Sequence, residues 1–333
     1  MIAAKKIAVI GSNCFSGSHF VNFLIRKTDC EIIGISRSPE YPALFLPYLY
    51  KKKRPEQFRF FQLDINNQLE KLIRLLDAEK PEIIVNFAAQ GNVQYSWKFP
   101  SDWFFTNTVG VMNLALGLAG KEYLEKFVQI STPEIYGFCQ KIKENISYYD
   151  PSTPYAVSKA AGDMMLRAIR KQYGFPVCFA RSTNVYGPHQ QLYRIIPRTI
   201  IYLKLGRKIP LHGGGLVNRD FISIYDSCRA LGKIIQHGRI GGVYHLTSGK
   251  MIKISDLVRL ICDMMGRDFG NSVEISKERP NQDPEFSLES EAKLELGWQT
   301  KIDLPKGIKG VIEWIDGNWE EIMKNPLDYI HKK

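Results

Sequence analysis

A tyrosine and a lysine four positions apart could together remove a proton from an alcohol. Tyr155 and Lys159 follow Pro154 at the start of a helical pattern, and residues at this spacing share one face of a helix. An ammonium beside a phenol favours the phenolate, which lowers the phenol pKa from about 10 toward neutral pH. The phenolate could then accept a hydroxyl proton while hydride leaves the same carbon. Tyr-x-x-x-Lys occurs by chance in many helices, so this chemistry needs support from the rest of the chain.

Two more polar residues follow an apolar run that is typical of a buried strand. Thr132 and Glu134 come directly after Phe127 to Ile130. The C-terminal ends of parallel strands form the edge where open α/β sheets bind ligands. On their own, Thr132 would be a turn or capping residue and Glu134 a solvated loop carboxylate. Beside Tyr155, both become candidate catalytic residues.

A glycine loop near the N-terminus could bind an acceptor for the hydride. Gly11-Ser-Asn-Cys-Phe-Ser-Gly17 lies between the first predicted strand and the first predicted helix, where a dinucleotide pyrophosphate meets a helix N-terminus. We therefore predict a nicotinamide dinucleotide held by Gly11, Asn13, Cys14, Phe15, Ser16 and Gly17. Later strand ends are expected to hold its adenine edge and its nicotinamide side, through Asp64 and Ile65 and through Phe87, Ala88 and Ala89 respectively.

The residues after the second predicted strand indicate which dinucleotide is bound. An acidic residue there usually grips the ribose 2′-hydroxyl of NAD, but this chain has Ser36, Arg37 and Ser38. A carboxylate would repel a 2′-phosphate, whereas hydroxyls and a guanidinium offer it charge-assisted hydrogen bonds. We predict NADP as the cofactor, with NAD as the alternative.

Short apolar runs alternate with helical patterns through the first half of the chain. Strands are predicted at 7–10, 31–35, 58–63, 83–86 and 127–130, and helices at 21–26, 69–79 and 111–118. This βαβ repetition indicates an α/β fold with a doubly wound parallel sheet of the Rossmann type. Prolines and glycines after residue 187 suggest a smaller lobe. The predicted division is 1–187 and 221–250 for the dinucleotide domain, and 188–220 and 251–333 for the substrate lobe.

Composition limits the compartments and partners. The chain has 333 residues, 44% of them hydrophobic, and a net charge of +11, yet no zinc finger, stacking platform or basic amphipathic helix accompanies the charge, so we predict no nucleic-acid partner. Six cysteines without CxxC or CxxH spacing predict neither a metal site nor disulfides, and favour the cytoplasm. No run approaches about 18 apolar residues, so neither a signal peptide nor a membrane partner is expected.

Motifs along nearly the whole chain resemble those of the extended short-chain dehydrogenase/reductase superfamily, specifically the nucleotide-sugar epimerases and dehydratases. Besides the glycine loop, they lie at 86–90, 107–110, 131–137, 154–159, 184–188, 218–222, 279–283 and 293–298. The resemblance implies a nucleotide-sugar substrate and a smaller, mostly C-terminal substrate lobe. It adds Asn107, Tyr155 and Lys159 as cofactor contacts, and Gln90, Asn184, Arg194, Arg219 and Arg279 as substrate contacts. Guanidinium groups match the geometry of phosphate oxygens.

Within this family, Glu134 favours the 4,6-dehydratases, since simple 4-epimerases need only a Thr or Ser, the Tyr and the Lys. Once C4 of the sugar is a ketone, the C5 hydrogen is acidic, and a carboxylate can remove it as the C6 hydroxyl leaves. The cofactor then returns its hydride to C6. The resemblance thus implies conversion of an NDP-hexose or NDP-N-acetylhexosamine to its 4-keto-6-deoxy product, with no external reductant.

Two residues depart from the family pattern. Pro133 stands where dTDP-glucose dehydratases have an aspartate that acts as general acid, so Glu134 is expected to serve as both base and acid. Cys14 replaces the middle glycine of the loop, and its Cβ requires either a more distant backbone or a negative φ, which could weaken cofactor binding.

Other functions on the same scaffold stay open at this point. UDP-glucuronate decarboxylases also carry Thr-x-Glu, and a 4-epimerase would use the same Tyr-Lys pair. A non-catalytic NADP-binding regulatory protein is a remote alternative, because fold alone does not establish function. Neither the base (GDP, UDP or dTDP) nor the hexose is specified. The resemblance implies a homodimer or homotetramer paired through helices at 111–118 and 156–169.

Overall fold

The computed structural model describes residues 2, 4–51, 53–144, 146, 148–278 and 283–331. Arg279, which the sequence predicts as a substrate contact, lies outside these residues. Within the described residues, a large lobe and a small lobe border a cleft.

The strands alternate with helices through the first two thirds of the chain. They are β1 (Lys6–Ile10), β2 (Glu31–Ser36), β3 (Phe58–Gln62), β4 (Ile83–Asn86), β5 (Lys126–Ser131), β6 (Cys139–Ile142), β7 (Val177–Ser182), β8 (Asn184–Tyr186), β9 (Ile209–His212), β10 (Asn218–Ser223), β11 (Val243–Leu246), β12 (Met251–Lys253), β13 (Val273–Ser276) and β14 (Phe286–Leu288).

The α-helices are α1 (Phe15–Lys27), α2 (Leu69–Glu79), α3 (Val93–Ser96), α4 (Pro100–Phe104), α5 (Val111–Leu118), α6 (Pro154–Tyr173), α7 (Ile195–Lys204), α8 (Ile224–His237), α9 (Ile254–Met264), α10 (Phe269–Ser272), α11 (Ala292–Glu295), α12 (Leu304–Asp316) and α13 (Trp319–Ile322). A π-helical segment, Phe105–Gly110, joins α4 to α5. Short 3₁₀ turns lie at Ala43–Phe45, Pro133–Tyr136 and Gly213–Gly215.

The large lobe is built on a seven-stranded parallel sheet in the order β11-β7-β5-β4-β1-β2-β3. Successive strand residues point to opposite faces. In β1, Ile7 and Val9 therefore enter a core shared with α1 and α8, while Ala8 and Ile10 enter one shared with α2, α5 and α6. Both faces are covered, which explains why the strands are apolar without alternation.

The predicted fold class is confirmed, because the sheet is parallel and helices lie on both of its faces. The reversal of strand order falls between β1 and β4, and such a switch point is where doubly wound sheets bind ligands. The five predicted strands correspond to β1 to β5, with the third extending one residue beyond β3, and the three predicted helices lie within α1, α2 and α5. The sequence therefore positions the glycine loop and Thr132 at the same sheet edge.

The small lobe has its own apolar core, drawn mainly from α7, α9 and α12. Three small sheets support it: β8-β10-β12, β9-β13 and β6-β14. β8 and β10 pair with each other, so the predicted boundaries at 187 and 220 fall within one small sheet. The division into domains stays a prediction. No helix in the described ranges is both long and apolar enough to cross a bilayer.

Candidate active site

The cleft between the two lobes has a volume of about 1280 Å³. Its large-lobe wall consists of the loops that follow β1, β2, β4 and β5, together with the start of α6. Its other wall comes from the segment 182–198, from strands β9 and β10, and from residues 325–330. The cleft is therefore open along the C-terminal edge of the parallel sheet, where such sheets bind ligands.

The glycine loop requires both of its glycines. Gly11 has φ +84°, and a Cβ there would lie 2.7 Å from the Ala88 nitrogen. A Cβ on Gly17 would lie 2.3 Å from the Gly11 oxygen. Both distances are too short for real atoms, so the tight turn between β1 and α1 depends on these positions. Gly17 itself supports the loop from behind, and Gly11 lines the cleft.

Cys14 takes the second of the two conformations that the sequence allowed, with φ −72°. It is the N-cap of α1, and its Sγ accepts a hydrogen bond from the Gly17 amide at 3.2 Å. Burial raises the pKa of Cys14 to about 11, so the side chain is a neutral thiol at physiological pH. The cysteine thus replaces a loop glycine with a capping group and adds no charge beside the predicted pyrophosphate site.

Hydrogen bonds from Asn13 fix the glycine loop to the loop after β2. Its backbone amide donates to Ser36 Oγ at 3.0 Å, and its Nδ2 donates to the carbonyls of Ser38 and Pro39 at 2.9 and 2.7 Å. Ser36 Oγ acts here as an acceptor, so its hydroxyl hydrogen is left to donate. Ser36, Arg37 and Ser38 all line the cleft, as do Phe15, Ser16, Asp64, Ile65, Phe87, Ala88 and Ala89.

On the loop after β2, the carboxylate of Glu40 is already hydrogen-bonded to other side chains of the protein. Glu40 accepts hydrogen bonds from the Tyr48 hydroxyl at 2.9 Å and from Arg54. The residue that ends β2 is Ser36. The strand end that commonly carries the ribose-binding acid therefore carries a hydroxyl, and Arg37, the next residue in the sequence, also lines the cleft.

The candidate catalytic tyrosine and lysine are held by α6 and β5. Thr153 caps α6 by accepting from the Ala156 amide at 3.2 Å, and Pro154 occupies the first turn. Tyr155 lines the cleft, while Lys159 is buried and donates from Nζ to the Ile130 carbonyl at 2.7 Å. The helix therefore presents the phenol to the cleft and anchors the ammonium on the sheet.

The sequence predicts a lowered pKa for Tyr155, but in this structure the pKa is raised. Burial raises the pKa of Tyr155 above its ordinary value, and the charge of Glu134 raises it further, whereas the hydrogen bond with Thr132 lowers it. Burial also lowers the pKa of Lys159, an effect opposed by Asp163. Desolvation is the largest effect on both pKa values because both side chains are removed from water.

Glu134 lies beside Tyr155, in the 3₁₀ turn that follows β5. Thr132 caps this turn, its Oγ1 accepting from the Glu134 amide at 3.3 Å, and Pro133 starts it. Burial raises the pKa of Glu134 to about 7; Arg219 and Arg194 oppose this rise and Asp283 adds to it. A carboxyl that titrates near neutrality can both accept and return a proton.

Four of the predicted substrate contacts lie in the wall of the cleft. Gln90, Asn184, Arg194 and Arg219 line it. Arg219 donates to the carbonyls of Asn218, Pro284 and Asp283 and lies 4.5 Å from the Phe286 ring centroid. These carbonyls fix the orientation of the guanidinium.

Asn107 is not among the residues that line the cleft; its cofactor contact stays a prediction, and the structure shows it in a supporting role. Its Oδ1 accepts from the Gln90 amide at 2.8 Å, and its Nδ2 donates to Gln90 O and to Ser158 Oγ, both at 3.0 Å. The side chain is 1% exposed. Asn107 therefore fixes the Gln90 backbone to α6 from behind the cleft wall.

A buried ion pair beneath the catalytic residues was missed from the sequence. Asp163 contacts Arg181 at 3.2 Å and accepts from Ser131 Oγ at 2.8 Å. It lies one helical turn beyond Lys159, which is a spacing that could have identified it. Three tyrosines of the cleft region, Tyr95, Tyr193 and Tyr329, were also missed, because an isolated aromatic residue gives no signal in a sequence.

The fold and the cleft together define an extended short-chain dehydrogenase/reductase. A family model described as GDP-mannose 4,6 dehydratase matches residues 9–311. The chain belongs to this family.

Individual relatives agree with this assignment over nearly the full length. The chain is 31% identical over 331 residues to dTDP-D-glucose 4,6-dehydratase of Homo sapiens, with 96% of this chain and 93% of the human protein covered. It is 27% identical to dTDP-glucose 4,6-dehydratase of Salmonella typhimurium, over 94% and 93% of the two chains. The crystal structure of DesIV, a dTDP-glucose 4,6-dehydratase from Streptomyces venezuelae with NAD bound, is similar with a TM-score of 0.87 and 28% identity, over 95% and 98%.

We predict that Asp163→Asn reduces both stability and activity. Arg181 would stay buried without a counter-charge, which costs about 3 kcal/mol of unfolding free energy. Lys159 would also lose the charge that favours its protonated form, so the alkaline limb of the pH–rate profile should move to lower pH. Urea unfolding and a pH–rate profile measure these effects.

Ser131→Ala is the control for this prediction, because it removes one hydrogen bond to Asp163 and leaves the charge in place. It should cost about 1 kcal/mol and leave the alkaline limb unmoved. Identical pH profiles for both variants would show that Asp163 does not act on Lys159.

Proposed function

We propose a role for each of the main cleft residues in the reaction. The chain is a nucleotide-sugar 4,6-dehydratase like the relatives it matches. The observation that supports it most strongly is the Glu134 carboxyl, whose pKa burial raises to about 7, in the same cleft wall as Tyr155 and Thr132. The loop and strand-end residues described above would hold a nicotinamide dinucleotide, which supplies a reversible hydride acceptor.

In the first step, Tyr155 acts in its phenolate form and takes the proton of the sugar C4 hydroxyl while hydride leaves C4. The Thr132 hydroxyl, hydrogen-bonded to the phenol, lowers the pKa of Tyr155 against the effect of burial. The substrate oxygen lies in the same buried site, where hydrogen bonds are stronger than in water. Thr132 and Tyr155 together therefore generate the 4-ketone.

In the second step, Glu134 removes the C5 proton, which the ketone has made acidic, and the C5–C6 double bond forms as the C6 hydroxyl leaves. Pro133 carries no proton, so Glu134 passes its own to the departing oxygen and water is released. Hydride then returns to C6 and C5 takes a proton that originates in solvent. The product is the 4-keto-6-deoxy sugar, and the cofactor is regenerated.

We predict that Glu134→Gln abolishes water loss and keeps cofactor binding. The purified enzyme, incubated with dTDP-, UDP- and GDP-hexoses in deuterated water, should give a product lacking one water and carrying deuterium at C5. Glu134→Gln should give neither change, while Glu125→Gln, on an exposed loop, should behave as the wild type.

The pH dependence follows from the same carboxyl. Glu134 must be ionised to accept the C5 proton, so kcat should rise with pH through about 7 on the acid limb of the profile. Deuterium at C5 in the Glu134→Gln product would refute the role of Glu134. Loss of carbon dioxide, or a product of unchanged mass, would instead indicate the decarboxylase or the 4-epimerase.

We also propose that the dinucleotide is NADP, although the DesIV structure contains NAD. This rests on Ser36, Arg37 and Ser38 in the cleft wall and on the engagement of Glu40 by Tyr48 and Arg54. A 2′-phosphate would meet hydroxyl donors and a guanidinium at this position and no carboxylate from the C-terminal end of β2.

Ser36→Asp should reverse the cofactor preference. A carboxylate at the end of β2 repels the 2′-phosphate and accepts from the ribose hydroxyl, so NADP should bind on the order of tenfold more weakly and NAD more tightly. Ser36→Ala is the matched control, since it removes the hydroxyl without adding charge and should keep the preference for NADP. Isothermal titration calorimetry measures both, and wild-type NAD binding as tight as NADP would contradict the assignment.

The proposed assembly is a homodimer paired through α5 and α6, which contact each other. Apolar side chains are exposed on these helices and on the neighbouring π-helical segment: Phe105 61%, Leu116 43%, Val157 37% and Met164 57%. We expect Met164→Glu to give monomers in sedimentation experiments, because a charge would be buried. Ile275→Glu, on the exposed strand β13, is the control and should leave the assembly unchanged. A monomeric wild type would overturn the proposal.

We place the enzyme in the cytoplasm as a further proposal. All six cysteines are free thiols, and five of them are buried. Free thiols are the common state in reducing compartments, which is also where sugar nucleotides of this class would meet the cofactor.

A further inference from the structure

The last described residues form a strap (residues 325–331) that leaves the small lobe and reaches the large lobe. At its start, Asn325 Nδ2 donates to the Glu321 carbonyl at 2.8 Å, and Leu327 packs against the core of the small lobe. The match to the family model ends at residue 311, so the strap lies beyond the motifs that define the family.

At its other end, the strap is anchored on α4 of the large lobe through His331. The imidazole stacks on Phe99 at 4.9 Å and 5° between planes, and on Trp103 at 5.3 Å and 13°. Its Nε2 lies 2.7 Å from Asp102 Oδ2, and its side chain is 9% exposed. The strap therefore connects the two lobes through specific contacts at both ends.

Between the two anchors, Tyr329 lies in the cleft wall. Its ring packs against Tyr95 of the large lobe at 4.8 Å and against Tyr193 of the small lobe at 5.2 Å. The charges of Arg37 and Arg194 act on its hydroxyl and oppose the rise of its pKa to about 12 that burial causes. Tyr329 is thus close to the loop after β2 and to the start of α7.

We propose that the strap is part of the dinucleotide site, where Tyr329 closes the cleft over the bound cofactor and His331 positions the strap. This inference rests on the proposed function, since Arg37 marks the phosphorylated ribose end of the cofactor. In a dehydration that reduces the cofactor and reoxidises it within one turnover, the cofactor has no need to leave. A strap that slows the release of the cofactor therefore does not lower the turnover rate. Sugar nucleotides can still exchange along the rest of the cleft.

The test is the rate at which NADPH leaves the enzyme. Wild-type enzyme loaded with NADPH is mixed with excess NADP, and the decay of enzyme-bound NADPH fluorescence gives the release rate, without any sugar nucleotide. Loss of one part-buried hydrogen bond and its stacking should speed release about tenfold in His331→Ala. Asp102→Ala and a chain that ends at residue 324 should show the same direction of change. His237→Ala, on an exposed helix end, is the matched control and should release NADPH at the wild-type rate.

Thermal unfolding of each variant shows whether the fold is intact. Asp102→Ala leaves the strap sequence unchanged and decides the question if His331→Ala lowers the melting temperature. Unchanged release rates in both folded variants would overturn the inference, as would an equal acceleration in His237→Ala. The same chase with NADH keeps the test valid for either dinucleotide. Failure of the proposed function would appear separately, as an absence of water loss in the wild type.

Discussion

The buried ion pair between Asp163 and Arg181 is the interaction on which the arrangement of the active site depends. Removing two charges from water is costly, and the cost is offset only where further hydrogen bonds complete the site. Here Ser131 donates to Asp163, and Arg181 donates to the hydroxyls of Tyr136 and Tyr149. These five residues come from β5, β7, α6, the 3₁₀ turn after β5 and the segment before α6. One buried network therefore fixes the relative positions of every element that carries a catalytic side chain.

For catalysis, the network matters because the charge of Asp163 acts on the pKa values of both Lys159 and Tyr155. Lys159 is one turn before Asp163 on α6, and the nearby carboxylate opposes the loss of its proton that burial favours. Tyr155 feels the same carboxylate with the opposite consequence, because a negative charge raises a phenol pKa. A charge placed to keep an ammonium protonated thus makes the phenol a weaker acid. The hydrogen bond from Thr132 and the charge of Arg194 are the contributions that favour phenolate.

The opposing effects on these two pKa values also show which features the sequence could predict and which it could not. The strands, the helix bearing Tyr155 and Lys159, and the common edge they share with Thr132 follow from local patterns, because apolar runs and helical spacing are properties of neighbouring residues. The sign of the pKa shift of Tyr155 depends on how completely the folded chain excludes water, which no spacing records. Asn107 shows the same limit, since its motif marks the correct region but not that its amide faces the Gln90 backbone.

The strap is the clearest case of a feature without a local signal. Tyr329 and His331 are single aromatic residues in a short polar segment, and their partners Tyr95, Phe99 and Trp103 are more than two hundred positions away in the sequence. In the sequence of this chain, nothing distinguishes them from surface aromatics. Cys14 is an intermediate case, because the sequence predicts the conflict with the loop geometry and the structure supplies its solution, a thiol that caps α1.

The raised pKa of Glu134 explains how the proposed mechanism can operate with Pro133, which has no acidic group, as the neighbouring residue. A carboxyl with an ordinary pKa would accept the C5 proton at neutral pH but would be a poor donor to a departing hydroxyl, so it would need a second acid beside it. A carboxyl that titrates at about 7 gives and takes protons with similar ease. Pro133 then contributes rigidity, because its fixed φ starts the 3₁₀ turn that Thr132 caps. In the proposed mechanism, one buried carboxyl both removes the C5 proton and protonates the departing C6 hydroxyl. Both proton transfers therefore take place on the face of the sugar that meets Glu134.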